Sequence, residues 1–161
     1  MKLCITGHDS KGKAIFSHAG APPRAAGAGT YELWSTQGPI SVPDDADPKA
    51  PAQVGYFPVE GETAFKLVSV PPSAGPADPN LLPEEIRHMF DPEDAGMHTT
   101  DTIDYVIILA GAADLELDDG VSERVEAGDC VVQRGTRHAW RVVGDEALVL
   151  GAVLIGAART P

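Results

Sequence analysis

The sequence has few cysteines, few basic residues and no long apolar run, and each shortage argues against a class of site or partner. Its two cysteines, Cys4 and Cys130, form no CxxC pair and have no zinc-like spacing, so we expect free, buried thiols in a reducing cytoplasm. The chain has 12 Lys and Arg residues and 24 Asp and Glu residues. The net charge of −12 disfavours a nucleic acid partner, because phosphate binding needs a basic patch. No apolar run reaches the roughly 18 residues of a membrane span, and the start MKLCITGHDS does not resemble a secretory signal. We therefore predict a cytoplasmic protein without membrane contact.

The first half of the chain contains a few strands between loops rich in proline and glycine. An apolar fraction of 43% over 161 residues is enough for one domain with a sizeable core. KLCIT and AIFSH predict a hairpin, and YELWST and TAFKLVSV predict two more strands. LLPEEIRHMF is the single convincing helix, with an apolar stripe on Leu82, Ile86 and Met89 or Phe90.

The second half is almost entirely strand. A long β-branched run follows Met97, and the next segment predicts a hairpin that turns near Asp119 and Gly120. DCVVQ, HAWRVV and ALVLGAVLIGA follow, separated by turns that contain glycine. The last of these strands is apolar on both faces, which places it inside a sheet or at a subunit contact. Short antiparallel strands at this spacing are typical of a sandwich or closed barrel, so we predict an all-β fold.

Strand parity gives the run from His98 to Leu109 two different faces, because successive side chains point to opposite sides. One face begins polar and ends apolar; it carries His98, Thr100, Thr102, Asp104, Val106 and Ile108. The opposite face includes Tyr105, which we expect to serve packing and not catalysis. His138 and Trp140 share a face of a later strand in the same way. Two imidazoles and a carboxylate from separate strands can bind a metal and leave positions open for substrate, so His98, Asp104 and His138 are the candidate ligands.

The segments around these residues resemble the two sequence motifs of the cupin superfamily. The first motif reads glycine, a spacer, His-x-His, three or four residues, Glu, six residues and glycine. In this chain His98 stands at the first histidine, Thr100 at the second, Asp104 at the glutamate and Gly111 at the final glycine. The second motif reads glycine, a spacer, Pro-x-Gly, two residues and His. Its positions are filled in order by Gly128, Gln133, Gly135 and His138.

The resemblance covers about residues 96–157 and implies a cupin-type double-stranded β-helix, or jelly-roll barrel, with one short helix. We accordingly predict one cupin domain over 1–161, with N-terminal strands and loops in 1–95 and the barrel core in 96–157. Cupins with a well-formed metal centre present three histidines and a glutamate. This chain keeps two histidines and the shorter Asp104, a set associated with iron(II) that would also suit zinc, nickel or manganese. Asp104 could instead orient an imidazole from outside the ligand set.

Other residues near the motifs are candidates for substrate binding. Thr100 and Gln133 replace motif residues, and Gln133 could give an amide oxygen to a metal or a hydrogen bond to substrate. Trp140 is a candidate pocket wall, and Arg141 would suit a carboxylate because its guanidinium binds that group through two hydrogen bonds. The remaining histidines, His8, His18 and His88, have no motif around them.

Three functions fit this site. The first is a metal-dependent enzyme in which His98, Asp104 and His138 hold a divalent ion for lyase, isomerase or dioxygenase chemistry on a small organic acid or an aromatic or keto metabolite. The second is a metal-free dehydratase, cyclase or epimerase in which a histidine acts as general base. The third is a cupin that binds a small ligand without catalysis. We favour the first and predict a homodimer, because the apolar final strand and the N-terminal hairpin could pair with a second copy.

Overall fold

The structure of the chain is a computed structural model that describes residues 1–24, 29–44, 46–47, 55–72, 84–94 and 96–160. Within these residues the chain forms ten strands, one short α-helix and a single 3-10 turn at Asp118–Gly120. Their bounds are β1 Leu3–His8, β2 Ala14–Gly20, β3 Tyr31–Gln37, β4 Glu62–Val70, α1 Glu84–Arg87, β5 Thr102–Ala110, β6 Ala112–Glu116, β7 Ser122–Glu126, β8 Cys130–Arg134, β9 Ala139–Val143 and β10 Leu148–Gly156. The described residues contain no helix long and apolar enough to cross a membrane.

The strands form two facing antiparallel sheets and a separate hairpin. One sheet has the order β3-β4-β10-β5-β8 and the other the order β7-β6-β9, while β1 pairs only with β2 among the described strands. Apart from β3 and β4, neighbouring strands of the first sheet are not consecutive in the chain, as expected of a jelly-roll barrel. The all-β jelly-roll prediction is confirmed. The final strand, β10, lies between β4 and β5, which confirms its predicted place inside a sheet. The homodimer stays a prediction that light scattering would test.

The core lies between the two sheets and follows the predicted parity of β5. Val106 and Ile108 are 5% and 1% exposed, whereas Tyr105 and Leu109 are each 52% exposed on the outer face. The buried cluster is completed by residues of three other strands, β6, β7 and β10: Ala113, Val125, Leu148, Leu150, Ala152 and Leu154. One face of β5 therefore fills the barrel. Tyr105 lies outside the barrel, away from the interior.

Two glycines of the motifs occupy positions that other residues would strain. Gly111 has φ +73°, and a Cβ there would lie 2.5 Å from the Ala147 carbonyl oxygen. Gly135 has φ +65°, and a Cβ there would lie 3.4 Å from the Thr100 carbonyl oxygen. Since a left-handed backbone and a close neighbour both favour the residue without a side chain, these turns explain the two motif glycines.

Several local predictions differ from the structure. Cys4 and Cys130 are free as predicted, but both are exposed, because neither points into the barrel core. The predicted helix is shorter than expected: α1 covers only Glu84–Arg87, with Ile86 buried, while Leu82 lies outside the described residues. Strand β5 begins at Thr102, and His98 belongs to an isolated bridge before it. The hairpin turn near Asp119 and Gly120 is confirmed, and both residues have positive φ.

Candidate active site

His98 and His138 lie directly opposite each other, held by their own backbones. The amide of His98 donates to the carbonyl of His138 at 2.9 Å, and the amide of His138 donates to the carbonyl of His98 at 2.9 Å. A residue pair that exchanges both hydrogen bonds in this way projects its two side chains to the same face. The imidazole centroids are accordingly 4.3 Å apart, with the rings tilted by 48°. The structure thus brings together two of the three predicted ligands.

The hydrogen bonds of the two rings define their tautomers. Nδ1 of His98 lies 2.9 Å from the carbonyl oxygen of Gly96, and Nδ1 of His138 lies 2.9 Å from that of Thr136. A carbonyl oxygen only accepts, so each Nδ1 carries the proton and each neutral ring keeps its lone pair on Nε2. This is the arrangement by which a neighbouring acceptor orients a histidine for metal binding or for proton transfer.

Both histidines line a cavity of about 480 Å³ inside the barrel. Much of its wall is apolar and comes from both sheets; it includes Val68, Val70, Val106, Val142, Leu150 and Leu154. The ring of Phe90 stacks on His98 at a centroid distance of 4.8 Å and an angle of 18°. The ring of Trp140 meets His138 edge to face at 6.1 Å. A chamber of this size and polarity suits a small organic molecule with few polar groups.

The surroundings keep both imidazoles neutral. Burial, followed by the neighbouring charge of His138, lowers the pKa of His98 to about 4, although the hydrogen bond to Gly96 acts in the opposite direction. Burial also lowers the pKa of His138, opposed by its hydrogen bond to Thr136. Both imidazoles are therefore neutral at neutral pH, with the proton on Nδ1 and the lone pair of Nε2 available.

Asp104 lies in the same cavity wall but does not join the histidines as a third donor. It is 8% exposed, and its Oδ1 atom is buried and accepts no hydrogen bond from the residues that the structure describes. Burial raises the pKa of its carboxyl group, although a hydrogen bond from Thr102 partly opposes this. Among the residues that the structure describes, no three His, Cys, Asp or Glu side chains are placed to hold a metal ion. The chemistry of the imidazole pair fits a divalent metal as two donors, whereas the predicted three-ligand set is not assembled.

The predicted substrate-binding residues have different surroundings. Gln133 is buried beside Asp104 and lines the cavity, but its Oε1 already accepts a hydrogen bond from Thr136 at 2.5 Å. Trp140 and Arg141 also line the cavity. Thr100 is not among the lining residues; its hydroxyl lies 2.8 Å from that of Thr102.

Arg141 already has two acidic partners at the cavity wall. Its Nε donates to Glu116 at 2.6 Å, and its Nη2 donates to Asp94 at 2.6 Å. The hydrogen bonds to Glu116 and Asp94 raise the pKa of the guanidinium, while burial acts the other way. Its charge is thus already compensated within the protein, which limits what Arg141 offers to a ligand.

Sequence reasoning missed three residues of this site. Lys66 of β4 is 3% exposed and lines the cavity, and its Nζ lies 4.5 Å from the Tyr56 ring centroid. Phe57 lies near His98, with their ring centroids 6.4 Å apart, and Phe90 stacks on the same imidazole. None of them belongs to a motif. Lys66 has no local signal either, because its place between the apolar Phe65 and Leu67 in TAFKLVSV is typical of a solvent-facing residue.

Comparisons with known proteins gave two levels of similarity. The chain is 30% identical over 146 residues to the phomopsin biosynthesis cluster protein C′ of Diaporthe leptostromiformis, which covers 85% of this chain and 68% of that protein. A 45-residue segment is 53% identical to the phomopsin biosynthesis cluster protein D of the same organism, covering 28% of this chain but only 24% of the relative. No family model matches the sequence.

Solved structures of cupin proteins are also similar to the chain. One is an RmlC-like cupin family protein with a double-stranded β-helix fold from Methanocaldococcus jannaschii, with a TM-score of 0.40 and 14% sequence identity. The match covers 58% of this chain and 70% of that one. The chain's own two-sheet barrel, with both motif histidines at its cavity, confirms the cupin fold that the motifs predicted.

Proposed function

The chain belongs to the same family as the phomopsin biosynthesis cluster protein C′, and on this premise we propose that it is a cupin enzyme of small-molecule biosynthesis. We propose that it binds a small, mostly apolar organic molecule in the barrel and acts on it with a divalent metal held by His98 and His138. The observation that carries the proposal is the opposed pair of neutral imidazoles at the wall of the 480 Å³ cavity. The name of the relative links that protein to a biosynthetic cluster, which agrees with a cavity suited to a metabolite.

The metal part of the proposal depends on the fixed rings. Each imidazole has its Nδ1 proton engaged by a backbone carbonyl, so Nε2 is the nitrogen available to an ion. A bound divalent ion would act as a Lewis acid that polarises a carbonyl or carboxylate oxygen of the substrate. The two imidazoles leave further positions for substrate and water, because the Asp104 carboxyl is not grouped with them.

The chain's own residues contribute orientation and exclusion of water. The reciprocal backbone hydrogen bonds hold His98 and His138 opposite each other, and the Phe90 ring restricts rotation of His98. The apolar walls remove water from around the reacting group, which strengthens any electrostatic interaction there. The neutral state of both rings favours metal binding over proton abstraction, because a histidine with a pKa of about 4 is a weak base at neutral pH.

The test is elemental analysis of untagged protein after incubation with iron(II), zinc, nickel or manganese. We expect near-stoichiometric metal in the wild type and in Asp104→Asn, and loss of the metal in His98→Ala and His138→Ala. His88→Ala is the matched control, because it removes an exposed histidine outside the cavity. Circular dichroism of each variant establishes that the barrel is folded.

The other outcomes separate the alternatives. Metal lost equally in Asp104→Asn would restore the carboxylate to the ligand set. Folded wild-type protein that binds none of the four metals would contradict the metal proposal. In that case the imidazole pair would serve as an acid–base or ligand-binding site, and turnover of a bound ligand would distinguish these two.

A further inference from the structure

We propose that Lys66 binds the carboxylate of the substrate, so that the ligand of this cavity is an organic acid. The inference rests on the proposed function, since it assumes that the cavity holds the substrate. The proposed function is thereby extended in two ways: the ligand is an organic acid, and its carboxylate end faces β4.

Lys66 is buried in a place where a cation needs compensation. It lies on the inward face of β4, between the buried Ala64 and the cavity-lining Val68, and only 3% of it is exposed. An ammonium group removed from water loses its hydration, and the protein or a ligand must replace it. Burial indeed lowers the pKa of Lys66, and the nearby Glu32 carboxylate only partly opposes this.

The protein supplies little of that compensation. The Lys66 ammonium donates one hydrogen bond, to the carbonyl oxygen of Tyr56, and lies over the rings of Tyr56 and Phe57 at 4.5 and 5.9 Å. Within the described part of the chain it forms no ion pair. An ammonium has three hydrogen atoms to donate, so two remain for a ligand after the hydrogen bond to Tyr56, counting the acceptors among the described residues.

Glu32 is a candidate to neutralise Lys66, but its carboxylate already has other hydrogen-bond partners. The two residues are opposite each other in the register of β3 and β4. The Oε1 atom of Glu32, however, accepts from Arg24 at 3.0 Å and from Ser35 at 2.8 Å. The Arg24–Glu32 pair therefore balances its own charge, and no described acidic side chain forms an ion pair with Lys66.

The second cation at the cavity does not compete for this role. Arg141 donates to Glu116 and Asp94, so an anion near it would meet two carboxylates that already occupy the guanidinium. An entering carboxylate at Lys66 would instead meet a cation in apolar surroundings, where a charge-assisted hydrogen bond is strong. One lysine matches the single charge of a carboxylate, whereas a phosphate dianion would require more donors than the site presents.

The geometry also orients the ligand. Phe57 is close to both polar points of the cavity: its ring centroid is 5.9 Å from the Lys66 ammonium and 6.4 Å from the His98 ring centroid. An acid bound at Lys66 would lay its carbon skeleton against Phe57 and the apolar wall. Its other end would then reach the imidazole pair, where the proposed chemistry takes place.

The experiment compares two uncomplicated probes, trans-cinnamate and cinnamamide, which differ in charge and hardly in shape. Affinities are measured by titration calorimetry at pH 7 in the presence of EDTA, so that no metal can bind the carboxylate. We expect the wild type to bind cinnamate at least about tenfold more tightly than cinnamamide. The preference should vanish in Lys66→Met, remain in part in Lys66→Arg, and be unchanged in the matched control Lys13→Met, which alters an exposed lysine.

Equal affinity for the two probes in the wild type, or no binding of either, would overturn the proposal. A preference that survives in Lys66→Met would also overturn it. If Lys66→Met does not fold, the affinities of the wild type for cinnamate and cinnamamide still test the proposal. Failure here is distinct from failure of the metal proposal: His138→Ala should lose metal but keep the preference for cinnamate, whereas Lys66→Met should keep metal and lose the preference.

Discussion

Acidification should destabilise this protein through His98, and the size of the effect follows from its surroundings. The ring is stacked on Phe90 and faces His138 at 4.3 Å between ring centroids, so a proton on it would be poorly solvated and close to a second imidazole. Its pKa is accordingly lowered from 6.5 to about 4 in the folded protein. The perturbation that tests this is a change from pH 7 to pH 4.5 in a buffer that contains a chelator.

The direction of the effect follows from proton linkage. In the unfolded chain His98 takes up a proton as the pH falls below its ordinary value of 6.5, whereas in the folded chain it does so only near 4. The unfolded state therefore binds more protons in this window, and stability falls as the pH is lowered through it. At about 1.4 kcal/mol for each pH unit of the window, the free energy of unfolding should drop by roughly 2 to 3 kcal/mol between pH 7 and pH 4.5 on account of His98 alone.

Urea unfolding at the two pH values measures this change for the wild type and for His98→Gln. The variant lacks the titrating ring, so its stability should fall by roughly 2 to 3 kcal/mol less than that of the wild type. His88→Gln controls for the loss of a histidine at an exposed position. Equal pH dependence in His98→Gln and the wild type would refute the argument. So would a nitrogen-15 NMR titration that places the midpoint of His98 near 6.5 or its proton on Nε2.

Three further predictions concern the barrel and the carboxyl group within it. Gly111→Ala should lose about 1 to 3 kcal/mol more stability in urea unfolding than Gly144→Ala, because both have positive φ but only at Gly111 does a Cβ meet backbone, 2.5 Å from the Ala147 carbonyl oxygen. Ile108→Ala should cost about 2 to 5 kcal/mol, because the side chain is 1% exposed; a cost below about 1 kcal/mol would contradict the core assignment. Asp104→Asn should raise the free energy of unfolding of the metal-free protein by about 1 kcal/mol at pH 7 and leave it unchanged at pH 3. The reason is that burial raises the pKa of the Asp104 carboxyl group and makes its ionised form unfavourable in the folded protein. A lower stability of the variant at pH 7 would contradict this and indicate a partner of the carboxylate.

Local patterns in the sequence were enough to determine the strands and the identity of the imidazole pair. The two-residue period of β5 predicted which side chains enter the barrel, and Val106 is buried where Tyr105 is exposed. The spacing of the two motifs brought His98 and His138 together although they lie 40 residues apart in the chain. Strand alternation and turns can be predicted from the sequence because they depend on neighbouring residues and not on distant ones.

Only the tertiary structure decided what surrounds that pair. Asp104 satisfies the motif spacing, yet its distance from the imidazoles depends on the path of 98–104, which is not continuous strand and cannot be inferred from parity. Lys66 lies between Phe65 and Leu67, so its alternation with apolar neighbours is typical of a solvent-facing residue, but Phe65 is 42% exposed and Lys66 is buried. The orientation of β4 is set by its pairing with β3 on one edge and, on the other edge, with β10, which is distant in sequence. A cavity formed by distant strands has no local signature, which is why its lysine and its aromatic walls emerged only from the fold.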